Sequence, residues 1–332
     1  MEEKDVVIVG GGPAGLASAI YTQPDGWSTL VLESSWIGGQ GAIAYTVANY
    51  PGFLPGDGEV LTENMKKQVT SPPPAGVGAE CREETVLSID ADKKTVTTDK
   101  NQSQAGVIIL ATGSTMQKLG APGEDKFVGK GVSYYAKRDY DKFNGKRVIV
   151  VGGGNTTAKS ALVAKNEGKA KEVILIHRRD SLRAYPAMVK RVQNEGVQIW
   201  YNTEIREIKG DDVVRGATIL NNKTGEQKEV EVDWIVMCVG TEVNTKLAQE
   251  TGLEMQGPIV KVDGQMMTSK PGVFACGEIT GIHNHLINAA ADGASAGMAA
   301  SEYLALEKVK RGETFEGAKN GKYVDEYQRM VK

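Results

Sequence analysis

The amino-acid sequence predicts an α/β fold in two parallel-sheet units, the second inserted in the first. At residues 5–19 a run of β-branched residues leads into a glycine-rich turn and an Ala-rich, helix-favouring segment. The same order of strand, turn and helix returns at residues 147–165. A Gly/Pro-rich connector at residues 120–124 separates the two repeats, and 332 residues suffice for two domains of ~100–200 residues each.

The composition narrows the class of protein. Hydrophobic residues make up 40% and charged residues 24% of the chain, as in ordinary globular proteins. The net charge of -3 argues against nucleic acid as a partner, and no apolar stretch reaches the ~18 residues that a membrane span needs. The first residues pass directly into a strand, so we expect no signal peptide and a cytoplasmic protein. Cys81, Cys238 and Cys276 are far apart and form no Cys-x-x-Cys pair, so we expect no structural disulfide.

The first glycine turn has the spacing of a dinucleotide-binding fingerprint. Gly10 permits the sharp turn, Gly12 lets the backbone approach a pyrophosphate, and Gly15 lets the helix pack closely on the strand. The helix N-terminus offers free N–H groups and a positive dipole end to the phosphates. Glu33 ends the next strand, 28–32, where a carboxylate binds a ribose 2′-hydroxyl. These residues predict a dinucleotide site in a Rossmann-like unit; the alternative is an ordinary Gly-rich turn between a strand and a helix.

The rest of the first unit is read from turn residues and apolar patterns. The sequence predicts loops at 36–40 and 49–53, a helix at 61–69 that the prolines at 72–74 end, antiparallel strands over 81–98 with a turn at 90–93, and a buried strand at 107–113 ending in a glycine turn. Loops at the carboxyl ends of parallel strands bind ligands in such sheets.

The second glycine turn differs from the first in two ways. Strand 147–151 leads into Gly152-Gly153-Gly154 and a helix at 158–165, but Thr157 stands where the third glycine would be, and we expect it to weaken the phosphate loop. The next strand, 172–176, ends in no acid: His177, Arg178, Arg179 and Arg183 follow it. An acid would repel a 2′-phosphate, whereas arginines bind it through paired hydrogen bonds. The second site should therefore take an NADP-type ribose; the alternative is a solvated surface cluster.

The remaining segments return the chain to the first unit. Residues 197–234 predict short strands with a turn at 221–225, residues 235–240 a buried strand, residues 272–278 a short strand with a terminal acid, and residues 286–304 a small-residue helix. We therefore place residues 1–117 and 245–332 in one domain and residues 118–244 in the other. The chain is suited to hold two dinucleotides.

At this point the chain resembles the low-molecular-weight thioredoxin reductases and their paralogues, flavoproteins with two dinucleotide-binding domains. The resemblance covers about residues 5–305 in the family's order. The motifs that carry it are Gly10-x-Gly12-x-x-Gly15, Gly38-Gly39-Gln40, Asn49-Tyr50-Pro51-Gly52-Phe53, Ala111-Thr112-Gly113, Gly152-x-Gly154, His177-Arg178-Arg179, Gly240 and Gly272 to Glu278. It implies FAD on the first domain and NADPH on the second, and we expect a homodimer.

The resemblance also implies which residues contact each cofactor. For FAD they are Gly10, Gly12, Pro13, Ala14, Gly15, Glu33, Gly39, Gln40, Asn49, Ala111, Thr112, Gly113, Gly277, Glu278, His285, Leu286 and Ile287. For NADPH they are Gly152, Gly154, Asn155, Thr156, His177, Arg178, Arg179, Arg183 and Gly240. Glu278 stands where the family usually has Asp. The helix that begins near Leu286 and the entering His285 are expected beside the flavin; a capping or surface role is the alternative for His285, and His283 is a weaker candidate.

One departure from the family matters for function. The family carries a redox Cys-x-x-Cys-Asp just after Gly-Val-Ser; here Gly131-Val132-Ser133 is followed by Tyr135 and Arg138 at the cysteine positions. Dithiol chemistry needs two thiols that can close on each other. We therefore expect this chain not to reduce thioredoxin, and we interpret Cys276 as a small buried residue.

Three functional hypotheses follow, and none needs a metal or a catalytic triad, for which the sequence has no pattern. The first is an FAD-dependent oxidoreductase that exchanges electrons between NADPH and an external acceptor, a ferredoxin-like protein or a subunit of a larger redox complex. The second is an NADPH oxidase or a quinone or small-molecule reductase. The third is a non-catalytic flavoprotein sensor or scaffold, against which the arginine cluster argues.

An acidic protein partner is expected from the charge pattern. The segment from Lys126 to Arg147 contains seven basic residues and two acidic ones, Asp139 and Asp141. Its charge is therefore +5, in a chain of net charge -3. The basic tail after Leu306 carries Tyr323 and Tyr327, which we expect to cover a flavin face. The alternative is a solvated connector and a frayed terminus.

Overall fold

A computed structural model describes residues 1–22, 26–281 and 285–313. The chain divides into two compact units, the described parts of 1–114 with 243–332 (unit 1) and of 115–242 (unit 2). These limits differ from the expected ones by two or three residues. His283, Tyr323 and Tyr327 lie outside the described residues.

The elements are as follows. The strands are β1 Glu2–Val9, β2 Thr29–Glu33, β3 Glu80–Glu83, β4 Val86–Asp90, β5 Thr95–Thr98, β6 Gln102–Leu110, β7 Ser114–Met116, β8 Val132–Ser133, β9 Arg147–Gly152, β10 Glu172–Ile176, β11 Gln198–Trp200, β12 Thr203–Gly210, β13 Val214–Asn221, β14 Gln227–Glu231, β15 Trp234–Cys238, β16 Thr241–Val243, β17 Met255–Gln256, β18 Ile259–Val260 and β19 Val273–Ala275. The helices are α1 Pro13–Thr22, α2 Gly39–Ala42, α3 Gly58–Thr70, α4 Ala136–Asp139, α5 Asn155–Asn166, α6 Pro186–Asn194, α7 Lys246–Glu250 and α8 Leu286–Lys310.

Unit 1 is built on a sheet in the order β3-β2-β1-β6-β5-β4, with β19 also paired to β6. β1 is parallel to β2 and β6, in the register Val7 to Leu30 and Val7 to Ile108. The antiparallel strands β4 and β5 meet across the expected turn. Successive residues of β1 face opposite cores, Val6 and Ile8 on one side and Val7 and Val9 on the other. The β-branched run is therefore buried on both faces, as in parallel sheets covered by helices.

Close packing of α1 on α8 explains the small residues of α8. A side chain at Gly293 would collide with Ala14 O, and one at Gly297 with Ser18 O. The Ser18 hydroxyl donates to Gly293 O at 2.9 Å. Small residues let the two helix backbones approach, so the segment 286–304 is helical for reasons of packing as well as propensity.

Unit 2 carries a parallel sheet in the order β11-β10-β9-β15-β8 and an antiparallel meander β12-β13-β14. Both repeats form the predicted strand–turn–helix–strand unit, β1-α1-β2 in unit 1 and β9-α5-β10 in unit 2. The α/β fold with Rossmann-like domains is confirmed.

The structure extends several predicted elements. Helix α3 begins at Gly58, because Asp57 is its N-cap and accepts a hydrogen bond from Glu59 N at 2.8 Å. Helix α5 begins at Asn155, directly after the glycine turn, and α8 continues to Lys310. Strand β6 begins at Gln102, where it pairs with β5. Apolar periodicity marks the middle of an element better than its ends.

Candidate dinucleotide-binding sites

In the first glycine turn, two of the glycines leave no space for a side chain, whereas Gly12 has open space beside it. Gly10 has φ +113°, and a side chain there would collide with Ala111 O; a side chain at Gly15 would collide with Gly10 O. At Gly12 a Cβ would meet nothing within 4 Å. Helix α1 begins immediately afterwards at Pro13, with Ala14 buried. The turn therefore leaves room for a phosphate at the position that the fingerprint predicts.

Glu33 lies at the end of β2 and is anchored to this turn. Its Oε2 accepts a hydrogen bond from Gly11 N at 2.8 Å, and its Oε1 accepts one from Ser35 N at 3.0 Å. Oε2 keeps a second lone pair, which suits a ribose hydroxyl donor. Two backbone donors therefore fix the Glu33 carboxylate beside the glycine turn.

Three side chains that are distant in sequence form a hydrogen-bonded chain at the carboxyl edge of the sheet. Gln40 Nε2 donates to Ser114 O at 2.6 Å and to Ser114 Oγ at 2.8 Å. The Ser114 hydroxyl donates to Glu278 Oε2 at 2.6 Å. The sequence predicted Gln40 and Glu278 but missed Ser114, which directly follows the Ala111-Thr112-Gly113 motif.

A second link closes the end of β6. The Thr112 hydroxyl donates to Asn244 O at 2.8 Å, and Asn244 Nδ2 donates back to Thr112 O at 2.9 Å. Gly113 O accepts a hydrogen bond from Asn244 N. The sequence indicated position 244 only as the limit of the inserted domain, 118–244.

The C-terminal part of the expected FAD site lies around the start of α8. Gly277 has φ +75°, and a side chain there would press on Ala14 Cβ. His285 occupies the N-cap position of α8, but its side chain makes no capping hydrogen bond. Leu286 lies beside Gly41, and Ile287 is half-buried. Asn49 is exposed in the loop before Pro51, and Gly39 begins the short helix α2.

The second glycine turn repeats the geometry of the first. Gly152 has φ +144° and lies against Cys238 O, as Gly10 lies against Ala111 O, and Gly154 is as open as Gly12. Thr157 is buried, and its hydroxyl donates to Cys238 O at 3.5 Å. The threonine packs beneath the turn and leaves its backbone geometry like that of the first turn; weaker phosphate binding at this loop stays a prediction. Asn155 begins α5, and Thr156 is exposed in its first turn.

A cavity of about 480 Å³ opens in front of this turn. It is lined by Gln117, Lys118, Leu119, Gly120, Ala121, Pro122, Val151, Gly152, Gly153, Ile176, His177, Arg178, Arg183, Thr203, Glu204, Ile205, Arg206, Cys238 and Val239. Four of these side chains are cationic and Glu204 is the one carboxylate among them. Lys118 and Arg206 were not predicted, because they come from segments with no motif.

The arginine loop is bonded to the glycine turn through its backbone. Arg183 N and Ala184 N both donate to Gly153 O, at 2.7 and 3.1 Å. Tyr185 N donates to the Asn155 side chain at 2.9 Å. Arg178 and Arg183 line the cavity, whereas Arg179 does not. Arg179 is exposed and is not part of the cavity lining, and its contact with NADPH stays a prediction. Gly240, with φ +131°, lies near the Gln117 side chain.

His177 is buried beneath the cavity with one ring nitrogen unpartnered. Its Nε2 finds no hydrogen-bond partner among the described residues. The ring stands over Gly153, where any side chain would collide with it. Burial, and then the charges of Arg183, Arg179 and Arg178, lower the pKa of His177. The lowered pKa favours the neutral imidazole.

The segment around Tyr135 and Arg138 has its own hydrogen bonds. The Ser133 hydroxyl donates to Asp139 Oδ2 at 2.6 Å and accepts from Tyr135 N at 3.0 Å. Among the basic side chains counted from 126 to 147, Lys142 pairs with Asp139, Lys146 with Asp233 and Arg147 with Glu172. Since two of these acids lie outside the segment, the surface is less basic than the sequence count of +5.

Cys81, Cys238 and Cys276 are free thiols. Among the described residues there is no cluster of His, Cys, Asp or Glu that fits a metal ion. In the same part of the chain, no helix has the length and apolarity to cross a membrane.

The fold and its two open glycine turns define an oxidoreductase with two dinucleotide-binding domains. Residues 4–293 match the family model "Pyridine nucleotide-disulphide oxidoreductase", and the chain belongs to this family. Within the family it is thioredoxin reductase-like, and the family's enzymes use FAD and NADPH, as expected from the sequence.

Individual relatives support the same placement. The chain is 36% identical over 305 residues to the thioredoxin reductase of Treponema pallidum, covering 90% of this chain and 97% of that protein. It is similar in structure to Lactococcus lactis thioredoxin reductase, with a TM-score of 0.81 and 31% identity over 91% of this chain and 99% of the other. A ferredoxin-flavin thioredoxin reductase from Clostridium acetobutylicum matches with a TM-score of 0.50 and 29% identity, covering 92% and 99%.

Proposed function

We propose that this chain is an FAD-dependent oxidoreductase that exchanges electrons between NADPH and an external protein acceptor without a dithiol relay. The observation that carries the proposal is the pair Tyr135 and Arg138, which stand where the resembling enzymes have their redox cysteines. Within the family, we propose that the chain belongs with the thioredoxin-reductase-like ferredoxin–NADP reductases.

The remaining thiols are poorly suited to replace that pair. Burial raises the pKa of Cys81 and of Cys238 to about 11, and that of Cys276 to about 12. The thiolate is the nucleophile in disulfide exchange, so these groups are almost wholly unreactive at neutral pH. Cys276 is also enclosed, with its Sγ 3.6 Å from Ser18 Oγ, which supports its interpretation as a packing residue.

Unit 1 supplies the residues that would hold FAD. The open backbone at Gly12 and the α1 N-terminus would take the pyrophosphate, Glu33 a ribose hydroxyl, and the Gln40–Ser114–Glu278 chain the flavin-side hydroxyls. Bound FAD would supply the capacity to take up a hydride and release electrons. The residues themselves bind and orient it.

Unit 2 supplies the residues that would hold NADPH. Gly154 and the α5 N-terminus would take the pyrophosphate, and Arg178 and Arg183 the 2′-phosphate. Four cations around one cavity support use of NADPH and speak against the sensor or scaffold hypothesis.

For the acceptor we propose an acidic electron-transfer protein of the ferredoxin type. The Clostridium acetobutylicum relative is a ferredoxin-flavin thioredoxin reductase. Lys126, Lys130 and Arg138 are exposed basic residues of this segment. A homodimer remains our expectation for the assembly.

The test is turnover by a cysteine-free variant. The holoenzyme and the triple variant Cys81→Ser, Cys238→Ser, Cys276→Ser would be assayed for NADPH oxidation with ferredoxin, thioredoxin, a quinone and oxygen. We expect ferredoxin-dependent turnover to survive in the triple variant, and no thioredoxin reduction by either protein. Thioredoxin reduction that disappears in the triple variant would overturn the proposal in favour of the activity for which the relatives are named. FAD content of each preparation controls for folding, and Cys81→Ser alone serves if the triple variant does not fold.

A further inference from the structure

Glu124 is a buried carboxylate behind the wall of the cavity in unit 2. Its residue is 2% exposed. Oε1 accepts hydrogen bonds from Leu119 N at 3.0 Å and from the Tyr134 hydroxyl at 2.7 Å. Oε2 accepts from Gly120 N at 2.6 Å and from Ala121 N at 3.3 Å. Burial of an unpaired carboxylate is costly, and here four donors offset the cost.

The donors belong to the loop that faces the cavity. Residues 117–122 form a continuous part of the cavity lining. The loop is tied at both ends, since Gln117 N donates to Gly240 O and Pro122 O accepts from Ile208 N, each at 2.9 Å. Between these ties, Glu124 holds the three central N–H groups from behind. The position of this wall therefore depends on one carboxylate.

Tyr134 fixes that carboxylate in turn. It follows β8 directly, and β8 pairs with β15 of the sheet, so its backbone is anchored independently of the loop. Burial and the neighbouring Glu124 raise the pKa of Tyr134, so its hydroxyl stays protonated and remains a donor. Tyr134 thereby links the sheet to Glu124, and Glu124 to the cavity wall.

We propose that Glu124, held by Tyr134, is a positioning residue that sets the cavity wall at 119–121 for the bound dinucleotide. The inference rests on the proposed NADPH site in unit 2. Glu124 does not itself line the cavity; it acts through the loop residues that it supports. Because Glu124 holds the loop 119–121 in place before the dinucleotide binds, less conformational entropy is lost on binding.

The experiment compares Tyr134→Phe with Tyr140→Phe as a matched control. Tyr140 lies six positions away, is 39% exposed and makes no hydrogen bond to Glu124. For each holoenzyme one measures the Kd for NADPH, KM and kcat for NADPH, FAD content, and hydrogen exchange of the amides of residues 119–121. Glu124→Gln and Glu124→Asp extend the series. The glutamine would turn an NH2 group toward backbone N–H groups, which cannot accept it, whereas the aspartate is shorter but keeps the carboxylate.

We expect Tyr134→Phe to raise the Kd and KM for NADPH about 3- to 10-fold with kcat and FAD content unchanged, because one hydrogen bond to a charged group is lost. The amides of residues 119–121 should exchange faster. Glu124→Gln should raise the Kd for NADPH further, and Glu124→Asp should raise it less than Glu124→Gln does. A lower thermal midpoint with an unchanged Kd would overturn the proposal in favour of a purely structural role. If the wild-type holoenzyme binds NADPH and Tyr134→Phe equals Tyr140→Phe, the inference alone fails; if the wild type does not bind NADPH, the proposed function fails with it.

Discussion

The Ser114 hydroxyl donates a 2.6 Å hydrogen bond to the carboxylate of Glu278, 164 positions further along the chain. Ser114 also receives the amide of Gln40, so its single hydroxyl connects loops that follow three different parts of the sheet. Loops of this kind at the carboxyl edge are where α/β sheets bind ligands.

Replacement of Ser114 by Ala should weaken FAD binding without unfolding unit 1. The change removes one charge-assisted donor from Glu278 and one acceptor from Gln40, which we expect to cost about tenfold in FAD affinity. FAD titration of the apo-protein measures it. Ser295→Ala is the matched control, because the hydroxyl of that half-buried serine donates to Ala291 O within α8. Equal FAD affinity in the two variants would contradict the role given to Ser114.

Gly12→Ala and Gly154→Ala should separate the two sites. Neither position has steric contacts for a Cβ, so each apo-protein should keep its free energy of unfolding to within about 1 kcal/mol. A methyl group there nevertheless occupies the space for the pyrophosphate. Gly12→Ala should lose FAD and Gly154→Ala should lose NADPH but keep FAD, as measured by separate titrations. Gly10→Ala should fail to fold, since its side chain would collide with Ala111 O. Loss of both cofactors in either open-site variant would count against two independent sites.

Arg178→Ala or Arg183→Ala should each weaken NADPH binding about tenfold and leave NADH nearly unchanged, because each removes a charge-assisted contact to the 2′-phosphate. Arg179→Ala is the control within the same loop, since it lies outside the cavity lining and should have a much smaller effect. Dissociation constants for NADPH and NADH at fixed ionic strength measure both. An Arg179→Ala effect as large as that of Arg183→Ala would refute the assignment.

His177 should make unit 2 less stable in mild acid. Its pKa in the folded chain lies below the usual 6.5, so below about pH 6.5 the unfolded chain binds a proton that the folded chain excludes. The contribution of His177 to the free energy of unfolding is therefore fully present above about pH 6.5 and is lost as the pH falls from there through the lower pKa of the folded chain. The thermal midpoint of the wild type should fall more steeply from pH 8 to pH 5.5 than that of His177→Asn. Parallel pH profiles for the two proteins would show that folding does not lower the pKa of His177.

The sequence predicted the glycine turns well, but it missed side chains that support the two sites. Gly10, Gly12, Gly152 and Gly154 could be predicted because a glycine turn between a buried strand and a helix is a local pattern. Ser114 could not, because its partners come from separate loops. Glu124 reads as an exposed acid in a Gly/Pro-rich connector, and only the fold brings Tyr134 to it.

Charge was the least predictable property of the surface. The count of +5 over residues 126–147 holds for the sequence, but Asp233 and Glu172 approach Lys146 and Arg147 only after the sheet of unit 2 has formed. Likewise, the choice of Arg183 over Arg179 depends on a loop that has no period. A count along the chain cannot include partners supplied by strand pairing.

The two hydrogen bonds from Arg183 N and Ala184 N to Gly153 O have a practical consequence for engineering. An attempt to convert coenzyme preference from NADPH to NADH by exchanging arginines one at a time keeps the loop where it is, since main-chain groups hold it. A wholesale loop graft from an NADH-using enzyme would need to retain residues 183–185 together with Asn155, whose side chain accepts from Tyr185 N. In a redesign of this loop, the side chains of residues 178–182 can therefore be exchanged together, because hydrogen bonds to the glycine turn already hold the backbone.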